Sequence, residues 1–501
     1  MIIDNIPVAI NGEKNLLELI RKAGIELPTF CYYSELSVYG ACRMCMVENK
    51  WGGMEAACST PPRNGMEIYT NTPRLRKYRK MILELLLSNH CGECTTCDKN
   101  GKCKLQELAA RFDIHRVRFD NPKSKPCIDD SSVSITRDAN KCILCGDCVR
   151  VCNEVQNVGA IDFAFRGSKM KVACSFDKPI GDSNCVGCGQ CAAVCPTGAI
   201  IIKNDSHRLW KELNQEDTIA VAQVAPAVRV AVAKEFGYNG ENVMGKIVAA
   251  LRRIGFNYIF DTSTAADLTV MEESKEFADR LANGGKLPLF TSCCPAWSVM
   301  AKKLFPTLAP YISMALTPMV LTARMLKKDD PDACIAFIGP CAAKKLEASR
   351  RTIRSDVDFV LTFEELMGMF NAKGVTFEDI TDEEKVDLCE GTGDGRGFAV
   401  SGGVAKAVAD VIHKLDPERE VKVVSAQGLK DCRKLLTLAK AGKYDGYLLE
   451  GMACPGGCVA GAGTLQAVEK STALVNKYVK DAPLQNSLDS KYEINLDLIT
   501  E

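Results

Sequence analysis

The sequence lacks an excess of either charge, has no long apolar run and contains few histidines. Basic residues number 63 and acidic residues 63, so the net charge is zero and a polybasic nucleic-acid binder is disfavoured. No stretch reaches the ~18 unbroken apolar residues that a membrane helix requires, so we expect neither nucleic acid nor a membrane as partner. Hydrophobic residues at 47% and charged residues at 25% argue against disorder and are ordinary for a globular protein.

The N-terminal residues MIIDNIPVAINGEK lack the basic start and apolar core of a secretory signal, so we expect a cytoplasmic protein. What the chain has in excess is cysteine, with 26 residues against four histidines. In a secreted mini-protein this composition would suggest a disulfide framework. In a long chain without an export signal, metal ligation by thiolates is the better interpretation.

The chain divides into four predicted domains, so the fold class is multidomain, combining α+β and α/β units. Residues 1–75 predict a small β-rich domain, in which NLLELIRKAG is a helix. Residues 76–120 contain most of a predicted helix that runs into His90, and residues 121–205 contain an internal repeat of period 43. In residues 206–501, apolar runs alternate with helical stretches, which predicts an α/β domain with a largely parallel sheet.

The strongest motif is a run of spaced cysteines that occurs twice, as CILCGDCVRVC and CVGCGQCAAVCP. Three thiolates at i, i+3 and i+6 can hold one face of a 4Fe–4S cube, and the fourth ligand comes from the other run. Structural zinc also binds four thiolates, but eight cysteines in this crossed register favour iron. The predicted ligands are Cys142, Cys145, Cys148 and Cys195 for one cube, and Cys185, Cys188, Cys191 and Cys152 for the second.

Two further cysteine motifs lie upstream of this repeat. The first suits a 2Fe–2S cluster on a glycine-containing loop, with a zinc ribbon as the alternative. The spacing between its first two cysteines departs from that of plant ferredoxins. The second has one histidine and three cysteines, which could hold zinc or a 4Fe–4S cube, and its position between iron–sulfur motifs favours iron. The residues are Cys31, Cys42, Cys45 and Cys58 in the first motif, and His90, Cys94, Cys97 and Cys103 in the second.

In the large domain, four cysteines stand in TSCCPAW at 291–297, GPCAAKKLE at 339–347 and EGMACPGGCVAGAG at 450–463. Their thiols could converge from these separate loops, or remain buried cysteines among small residues. Glycines beside the last cysteine would allow the backbone to approach a bulky ligand closely. The four residues are Cys294, Cys341, Cys454 and Cys458.

These three motifs together resemble those of the iron-only (FeFe) hydrogenases, in the clostridial type with accessory iron–sulfur domains. The resemblance covers nearly the whole chain. It implies a β-grasp ferredoxin-like domain, a small domain whose cluster has one histidine and three cysteine ligands, a two-cluster ferredoxin domain and a catalytic domain. It also implies the reversible reaction 2H⁺ + 2e⁻ ⇌ H₂, with electrons passing through one 2Fe–2S and three accessory 4Fe–4S clusters to or from ferredoxin or a similar carrier.

By the same resemblance, Cys294, Cys341, Cys454 and Cys458 ligate the 4Fe–4S cube of an H-cluster. The last of these bridges to a two-iron subsite that carries CO, cyanide and azadithiolate and is installed by maturation enzymes. Lys344 matches the lysine that donates to a cyanide ligand, which is a reasonable use of an ammonium beside an anion. A lysine in this loop could also be a solvated surface charge, and the adjacent Lys345 is the better candidate for that role.

The resemblance also implies a proton relay. Cys293 matches the relay thiol, and a thiol can pass a proton where a methyl group cannot. Glu273, Glu276 and Arg280 lie at i, i+3 and i+7 on one predicted helix face and, with Ser313, match the other relay positions. Without the resemblance, this acidic helix would be interpreted as an ordinary solvated face.

The sequence departs from the family pattern at two positions. Gly339, before Pro340, stands where the commonest members have methionine. Ala227, after Pro226, stands where many have a serine that hydrogen-bonds a cyanide, whereas Met452 is retained. These changes suggest a divergent branch, and they leave catalytic bias and oxygen sensitivity open but not the type of cofactor.

Two functions remain as alternatives to a hydrogenase. A hydrogen or redox sensor would use the same site with little turnover, but most sensory relatives would carry a signalling module and none is apparent. A non-catalytic electron-transfer or cluster-assembly protein would not need the complete set of three catalytic motifs.

Overall fold

The computed structural model describes residues 1–120, 128–238, 243–350, 355–386, 388 and 390–492. The N-terminal elements are β1 (Ile2–Ile3), β2 (Ile6–Pro7), α1 (Leu16–Lys22), β3 (Met46–Asn49), β4 (Met54–Ala56) and β5 (Glu67–Tyr69). They form a sheet of order β2-β1-β5-β3-β4, in which only β1 and β5 pair in parallel. The leucines and isoleucine of α1 pack on this sheet, so the helix predicted here is confirmed.

Two helices follow, α2 (Pro73–Ser88) and α3 (Lys104–Arg111). Thr72 caps α2 by accepting the N–H of Leu75, and a proline in the first turn suits the start of a helix. The helix ends just before His90, as predicted. Arg79 is buried on α2 and donates to the carbonyl oxygens of Met44 and Met46 at 3.2 and 2.6 Å, which fixes the helix to the first cysteine loop.

The cysteine repeat folds as two similar halves. Each cysteine run contains a short helix that follows a glycine in the left-handed region, Gly146 before α4 and Gly189 before α5. Strands β6 and β9 pair antiparallel, as do β7 and β8. The elements are β6 (Ile135–Arg137), α4 (Asp147–Arg150), β7 (Asp162–Ala164), β8 (Lys171–Ala173), α5 (Gln190–Ala193) and β9 (Ile200–Ile202).

The large C-terminal part contains two parallel sheets where the sequence predicted one. Its strands are β10 (Ala220–Val224), β11 (Tyr258–Asp261), β12 (Leu289–Phe290), β13 (Cys334–Ile338), β14 (Phe359–Leu361), β15 (Lys422–Gln427) and β16 (Tyr447–Met452). One sheet has the order β11-β10-β13-β14 and the other β12-β16-β15. All neighbouring strands in both sheets are parallel. The chain therefore alternates strand and helix as predicted but distributes its strands over two sheets.

The helices of this part separate the strands along the chain. They are α6 (Ser206–Leu213), α7 (Val228–Glu235), α8 (Met244–Arg253), α9 (Thr262–Asn283), α10 (Pro295–Leu304), α11 (Pro318–Asp329), α12 (Ala343–Ala348), α13 (Phe363–Lys373), α14 (Gly393–Arg396), α15 (Gly403–Leu415), α16 (Leu429–Lys440) and α17 (Val468–Lys480). Every residue of β10 and β13 is buried, as expected for parallel strands covered on both faces. Within the part of the chain that the structure describes, no helix combines the length and apolar character needed to cross a membrane.

The two sheets direct the carboxyl ends of four strands towards one region. The loops after β10, β12, β13 and β16 carry the segments that begin at Ala225, Thr291, Gly339 and Ala453. In open parallel sheets, ligands bind at the carboxyl ends of the strands. The three cysteine-bearing motifs of the large domain all lie in these loops.

Candidate active site

The four thiols of the large domain line one buried, mostly apolar cavity with a volume of about 90 Å³. Cys294 precedes α10, Cys341 follows β13, and Cys454 and Cys458 follow β16. Because one water needs ~10–15 Å³ by this measure, the cavity has room for a group much larger than a single ion. The structure therefore brings together the three separate loops that the sequence singled out.

The thiols surround an open space and do not meet at a point. Among the described residues, no group of three histidine, cysteine or acidic side chains lies close enough together to hold one metal ion. A 4Fe–4S cube has its cysteine ligands on separate corners, so it needs sulfurs around a cavity. The donor set and the open space together fit an iron–sulfur cube.

Burial dominates the acid–base chemistry of these thiols. It raises the pKa of Cys341 to about 11 and raises the pKa of Cys294, Cys454 and Cys458 as well. The Lys344 ammonium opposes this increase at Cys294, Cys341 and Cys458. Thiolates are the ligating form, so metal must displace protons when it binds here.

Lys344 lines the same cavity from α12. Its Nζ donates to Oε2 of Glu347 at 2.6 Å and lies 3.5 Å from the carbonyl oxygen of Cys293. The pKa of Lys344 is raised, because the pairing with Glu347 and nearby thiols outweighs burial. Sequence reasoning missed Glu347, although its i+3 spacing from Lys344 on a helix was an available signal.

The neighbouring Lys345 was expected to be the better candidate for a solvated surface charge, and that prediction is wrong. Lys345 is 4% exposed, and its ammonium binds the carboxylates of Asp205 at 2.8 Å and Glu365 at 3.0 Å. Consecutive residues of a helix point in different directions, so Lys344 faces the cavity while Lys345 faces the domain interior.

The predicted relay series lies on and beside α9, and contacts link Glu276 to both Ser313 and Arg280. Oε1 of Glu273 on α9 accepts the backbone N–H of Ser292 at 3.1 Å. Farther along α9, Oε2 of Glu276 accepts the hydroxyl of Ser313 at 2.7 Å. Arg280, one turn later, forms an ion pair with Glu276 at 2.5 Å.

Exposure changes along this series. Glu273 is fully buried, and burial raises its pKa to about 8. The side chains of Glu276 and Arg280 are 20% and 15% exposed, so the series approaches the surface. Glu273 is therefore not part of a solvated helix face, which was the alternative interpretation of these acidic residues.

A second buried carboxylate near Cys293 was missed in the sequence. Glu450 is fully buried at the end of β16 and accepts the backbone N–H groups of Gly402 and Ala405, each at 2.8 Å. Burial raises its pKa. Its place at the start of the third catalytic motif was the signal that could have identified it.

The two departures from the family pattern have different surroundings. Pro226, Ala227, Pro340 and Met452 line the cavity. Gly339 is not among the lining residues. A Cβ atom on it would lie 2.7 Å from the ring of Phe337, which does line the cavity. Phe337 therefore occupies the space that a side chain at position 339 would need.

The glycines near Cys458 make room chiefly for neighbouring backbone. A Cβ on Gly457 would lie 2.5 Å from the backbone nitrogen of Ser401, and one on Gly461 would lie 2.3 Å from the carbonyl oxygen of Pro340. Both glycines also line the cavity. Gly461 therefore allows the third cysteine loop to press against the second, and Gly457 allows it to press against the backbone of Val400 and Ser401.

The first cysteine motif converges in the N-terminal domain. Its four thiols, Cys31, Cys42, Cys45 and Cys58, are all at most 7% exposed. The backbone N–H of Cys42 lies 3.4 Å from the sulfur of Cys31. The hydrogen bond from the Cys31 side chain lowers the pKa of Cys42 to about 6, and that from Cys58 lowers the pKa of Cys45.

The two halves of the cysteine repeat exchange their last cysteines. Cys142, Cys145, Cys148 and Cys195 line one cavity of about 440 Å³. Burial is the main cause that raises the pKa of Cys191, and neighbouring thiols, including that of Cys152, raise it further. Burial and the thiol of Cys152 also raise the pKa of Cys188. The predicted groupings therefore lie together in the structure.

The histidine-containing motif lies beside this repeat. Burial, followed by the thiols of Cys103 and Cys97, raises the pKa of Cys94. The backbone N–H of Gly92 hydrogen-bonds Nδ1 of His90 at 3.0 Å. The sulfur of Cys103 lies 3.8 Å from the carbonyl oxygen of Pro196, next to a thiol of the first repeat site.

The cysteine sites also adjoin one another. Cys31 and Cys42 share a buried cluster with Cys145 of the first repeat site. Cys188 of the second repeat site lines the cavity of the large domain. A continuous row of sites therefore connects the N-terminal domain to the cavity.

Four family models match the chain. "Iron only hydrogenase large subunit, C-terminal domain" matches residues 218–462. "2Fe-2S iron-sulfur cluster binding domain" matches residues 1–73, "NADH-ubiquinone oxidoreductase-G iron-sulfur binding region" matches 79–118, and "4Fe-4S dicluster domain" matches 141–199.

The curated relatives agree with these models. An NADP-reducing hydrogenase subunit from Solidesulfovibrio fructosivorans is 34% identical over 99% of this chain and 94% of the relative. Iron hydrogenase 1 from Clostridium pasteurianum is 29% identical over 97% of this chain and 92% of the relative. The large chain of a periplasmic iron hydrogenase from Nitratidesulfovibrio vulgaris is 31% identical over 58% of this chain and 89% of the relative.

Proposed function

The chain belongs to the iron-only hydrogenase family, and from this premise we propose where its reaction takes place and which residues serve it. The enzyme interconverts protons and electrons with molecular hydrogen and relays the electrons through iron–sulfur clusters. The proposed site is the cavity lined by Cys294, Cys341, Cys454 and Cys458. The observation that supports it is that four thiols from three distant loops border one buried space.

These four thiolates would hold the cube of the H-cluster, and the thiolate of Cys458 would also hold its two-iron subsite. When bound, the H-cluster supplies the iron at which electrons and protons combine. The apolar lining excludes water, and in such surroundings the ammonium of Lys344 interacts strongly with an anion. Phe337 and Met452 also line the cavity and limit the space available in it.

Protons would travel along the series Cys293, Glu273, Ser313, Glu276 and Arg280. A raised pKa near 8 lets Glu273 both hold and release a proton close to neutral pH. The hydroxyl of Ser313 can accept one proton while donating another. The partly exposed pair of Glu276 and Arg280 would exchange protons with solvent.

Electrons would enter through the accessory sites. We assign one 2Fe–2S cluster to residues 1–75, one 4Fe–4S cluster with a histidine ligand to 76–120 and two 4Fe–4S clusters to 121–205. The β1–β5 sheet with its packed helix supports a β-grasp fold for the first domain. A ferredoxin or similar carrier would be the donor in a cytoplasmic setting, and maturation enzymes would install the two-iron subsite.

The test is the infrared spectrum and iron content of the full chain, produced with and without hydrogenase maturation enzymes. We expect bands of CO and cyanide, together with hydrogen evolution from reduced viologen, only in the matured protein. Cys458→Ser should lose the bands, whereas Cys334→Ser, in a buried strand away from the cavity, should keep them. Matured protein with bands but without hydrogen turnover would contradict the enzyme and support the sensor.

The histidine site has its own test. Replacing His90 by alanine should remove the iron of one cluster and leave the remaining clusters in place. His115→Ala is the matched control, because His115 is exposed and its ring nitrogen hydrogen-bonds Asp113. Unchanged iron together with a lost zinc ion would overturn the iron assignment.

A further inference from the structure

One polar side chain crosses the contact between the cysteine repeat and the catalytic loops. Nε2 of Gln190 lies 3.3 Å from the sulfur of Cys454 and 3.1 Å from the carbonyl oxygen of Ala460. Gln190 stands between Cys188 and Cys191 of the second repeat site, and Cys454 lines the catalytic cavity. Gln190 therefore belongs to the second repeat site by its position in the chain and contacts the catalytic loop through its side chain.

The orientation of this amide is determined by its partners. A carbonyl oxygen only accepts hydrogen bonds, so the group facing Ala460 must be the NH₂ group of Gln190. That group has two N–H bonds, and the second one is available to the sulfur of Cys454. The sulfur is the acceptor in this contact whether it is a thiol or a metal-bound thiolate.

A glycine makes the close contact possible. Gly189 has a φ of +76°, and a Cβ atom on it would lie 2.6 Å from the Cβ of Ala342 and 2.9 Å from the Cβ of Ala462. Ala342 follows Cys341, and Ala462 follows Cys458 in the third catalytic loop. The second repeat loop is therefore pressed against two of the loops that carry cavity thiols, with Gln190 at the point of contact.

We propose that Gln190 is a positioning residue that sets the reduction potential of the catalytic cube through an N–H···S hydrogen bond to Cys454. The inference rests on the proposed function, in which Cys454 ligates that cube. A hydrogen bond to a ligating sulfur stabilises the more negative, reduced form of the cluster, and such bonds are among the factors that set cluster potentials. Gln190 would thus make the cube easier to reduce by the accessory cluster next to it.

The test compares three variants of the matured full chain by infrared-monitored redox titration. The CO and cyanide bands belong to the subsite attached to that cube, so their shifts distinguish redox changes at this site from those of the accessory clusters. Gln190→Met keeps the length of the side chain and removes the N–H donor. Gln190→Lys keeps a donor, and Gln427→Met is the matched control.

Gln427 is a suitable control because it supports the same loop without touching sulfur. Its Oε1 accepts the backbone N–H of Gly456 at 2.8 Å, between Cys454 and Cys458. Loss of that bond changes the support of the loop but leaves the Gln190 contact in place. A general loss of packing would therefore affect both methionine variants.

For Gln190→Met we expect the reduced-to-oxidised ratio, measured at the wild-type midpoint, to fall by up to about tenfold, the size of one net hydrogen bond. For a one-electron couple, tenfold corresponds to 59 mV. Gln190→Lys should show no such decrease, and Gln427→Met should titrate like the wild type.

The possible failures give different results. A wild-type midpoint in Gln190→Met would overturn the role of Gln190, and so would an equal shift in Gln427→Met. Absence of the bands from the matured wild type would instead overturn the proposed function. If Gln190→Met does not mature, an electron paramagnetic resonance titration of the reconstituted clusters should show one component shifted to lower potential, and no shifted component would contradict the inference.

Discussion

Single side chains between Cys293 and the surface differ in burial more than in chemistry. Glu273 and Glu276 are both carboxylates on α9, yet the first is fully buried and the second is ion-paired near solvent. Such a gradient suits proton transfer, because the inner group holds its proton near neutral pH while the outer group exchanges with water.

At this scale, Cys293 is the proposed relay thiol that lines the cavity. Cys293→Ala should leave every cluster in place and lower hydrogen evolution at least ~100-fold, the typical contribution of one proton-transfer group. Iron content and infrared bands verify that the site is intact, and viologen-driven evolution measures the effect. Cys334→Ala removes an equally buried thiol away from the cavity and should retain turnover. Turnover at the wild-type level in Cys293→Ala would refute the relay.

The second prediction at the residue scale concerns the pH dependence of stability. Because the pKa of Glu273 is raised from 4.5 to about 8, the folded protein keeps this proton while the unfolded chain loses it. Wild-type stability should therefore fall between pH 4.5 and 8 relative to Glu273→Gln, with equal stability below this window and a constant gap above it. The gap should reach several kcal/mol at ~1.4 kcal/mol per pKa unit.

Thermal unfolding from pH 4 to pH 9 measures this gap. Glu235→Gln, at the exposed end of α7, is the control and should follow the wild type at every pH. A difference between wild type and Glu273→Gln that does not change with pH would show that Glu273 is not a buried, protonated acid.

Some functional side chains in this region could be identified from the sequence, and others could not. The thiols could be named because their spacing is specific for clusters. Lys345 was assigned to solvent because a sequence does not reveal that Asp205 and Glu365, far away along the chain, supply buried partners. Gln190 was missed for the same reason, since its contact with Cys454 joins residues 264 positions apart.

At the scale of elements, the short helices α4 and α5 determine how closely the cysteine repeat approaches its neighbours. Gly189→Ala should destabilise the protein in two ways. A left-handed residue other than glycine costs ~1–2 kcal/mol. Overlap with Ala342 and Ala462 should add ~1–3 kcal/mol, as overpacking does in cores.

Gly167→Ala measures the cost of the left-handed backbone alone. Gly167 has a φ of +63°, and nothing lies within 4 Å of a Cβ built on it. Thermal unfolding should therefore show a larger decrease for Gly189→Ala than for Gly167→Ala. Equal decreases would mean that the repeat loop does not press against the catalytic loops.

Helices and strands could be predicted where the local sequence pattern determines them. The helices that became α1 and α2 followed from apolar spacing, and the alternation of strands and helices after residue 206 followed from composition. The division of the parallel strands into two sheets did not, because β12 comes before β13 in the chain but pairs with β16. That pairing depends on packing between segments 159 residues apart, Leu289 opposite Leu448, which local periodicity does not encode.

At the scale of the whole molecule, Arg150 joins the first domain to the cysteine repeat. It donates to the carbonyl oxygen of Cys31 at 3.0 Å and to that of Ser37, pairs with buried Asp147, and lies over the ring of Tyr39. Arg150→Ala should leave Asp147 as an uncompensated buried charge. Breaking a buried pair in this way costs ~3–5 kcal/mol.

We expect Arg150→Ala to detach the first domain while preserving hydrogen evolution from reduced viologen. Hydrogen exchange of residues 1–75 measures the detachment, and Arg166→Ala, at an exposed position of the same repeat, is the control. Wild-type exchange in Arg150→Ala would contradict a docking role for this side chain.

The exchange of last cysteines between the two halves of the repeat limits how this segment can change by deletion or recombination. Cys195 lies with the earlier triad and Cys152 with the later one, so neither half is chemically complete alone. A deletion or recombination event confined to one half would remove a thiol from both. The segment has the form of a duplication, but both halves must be retained together for either site to keep its four thiols.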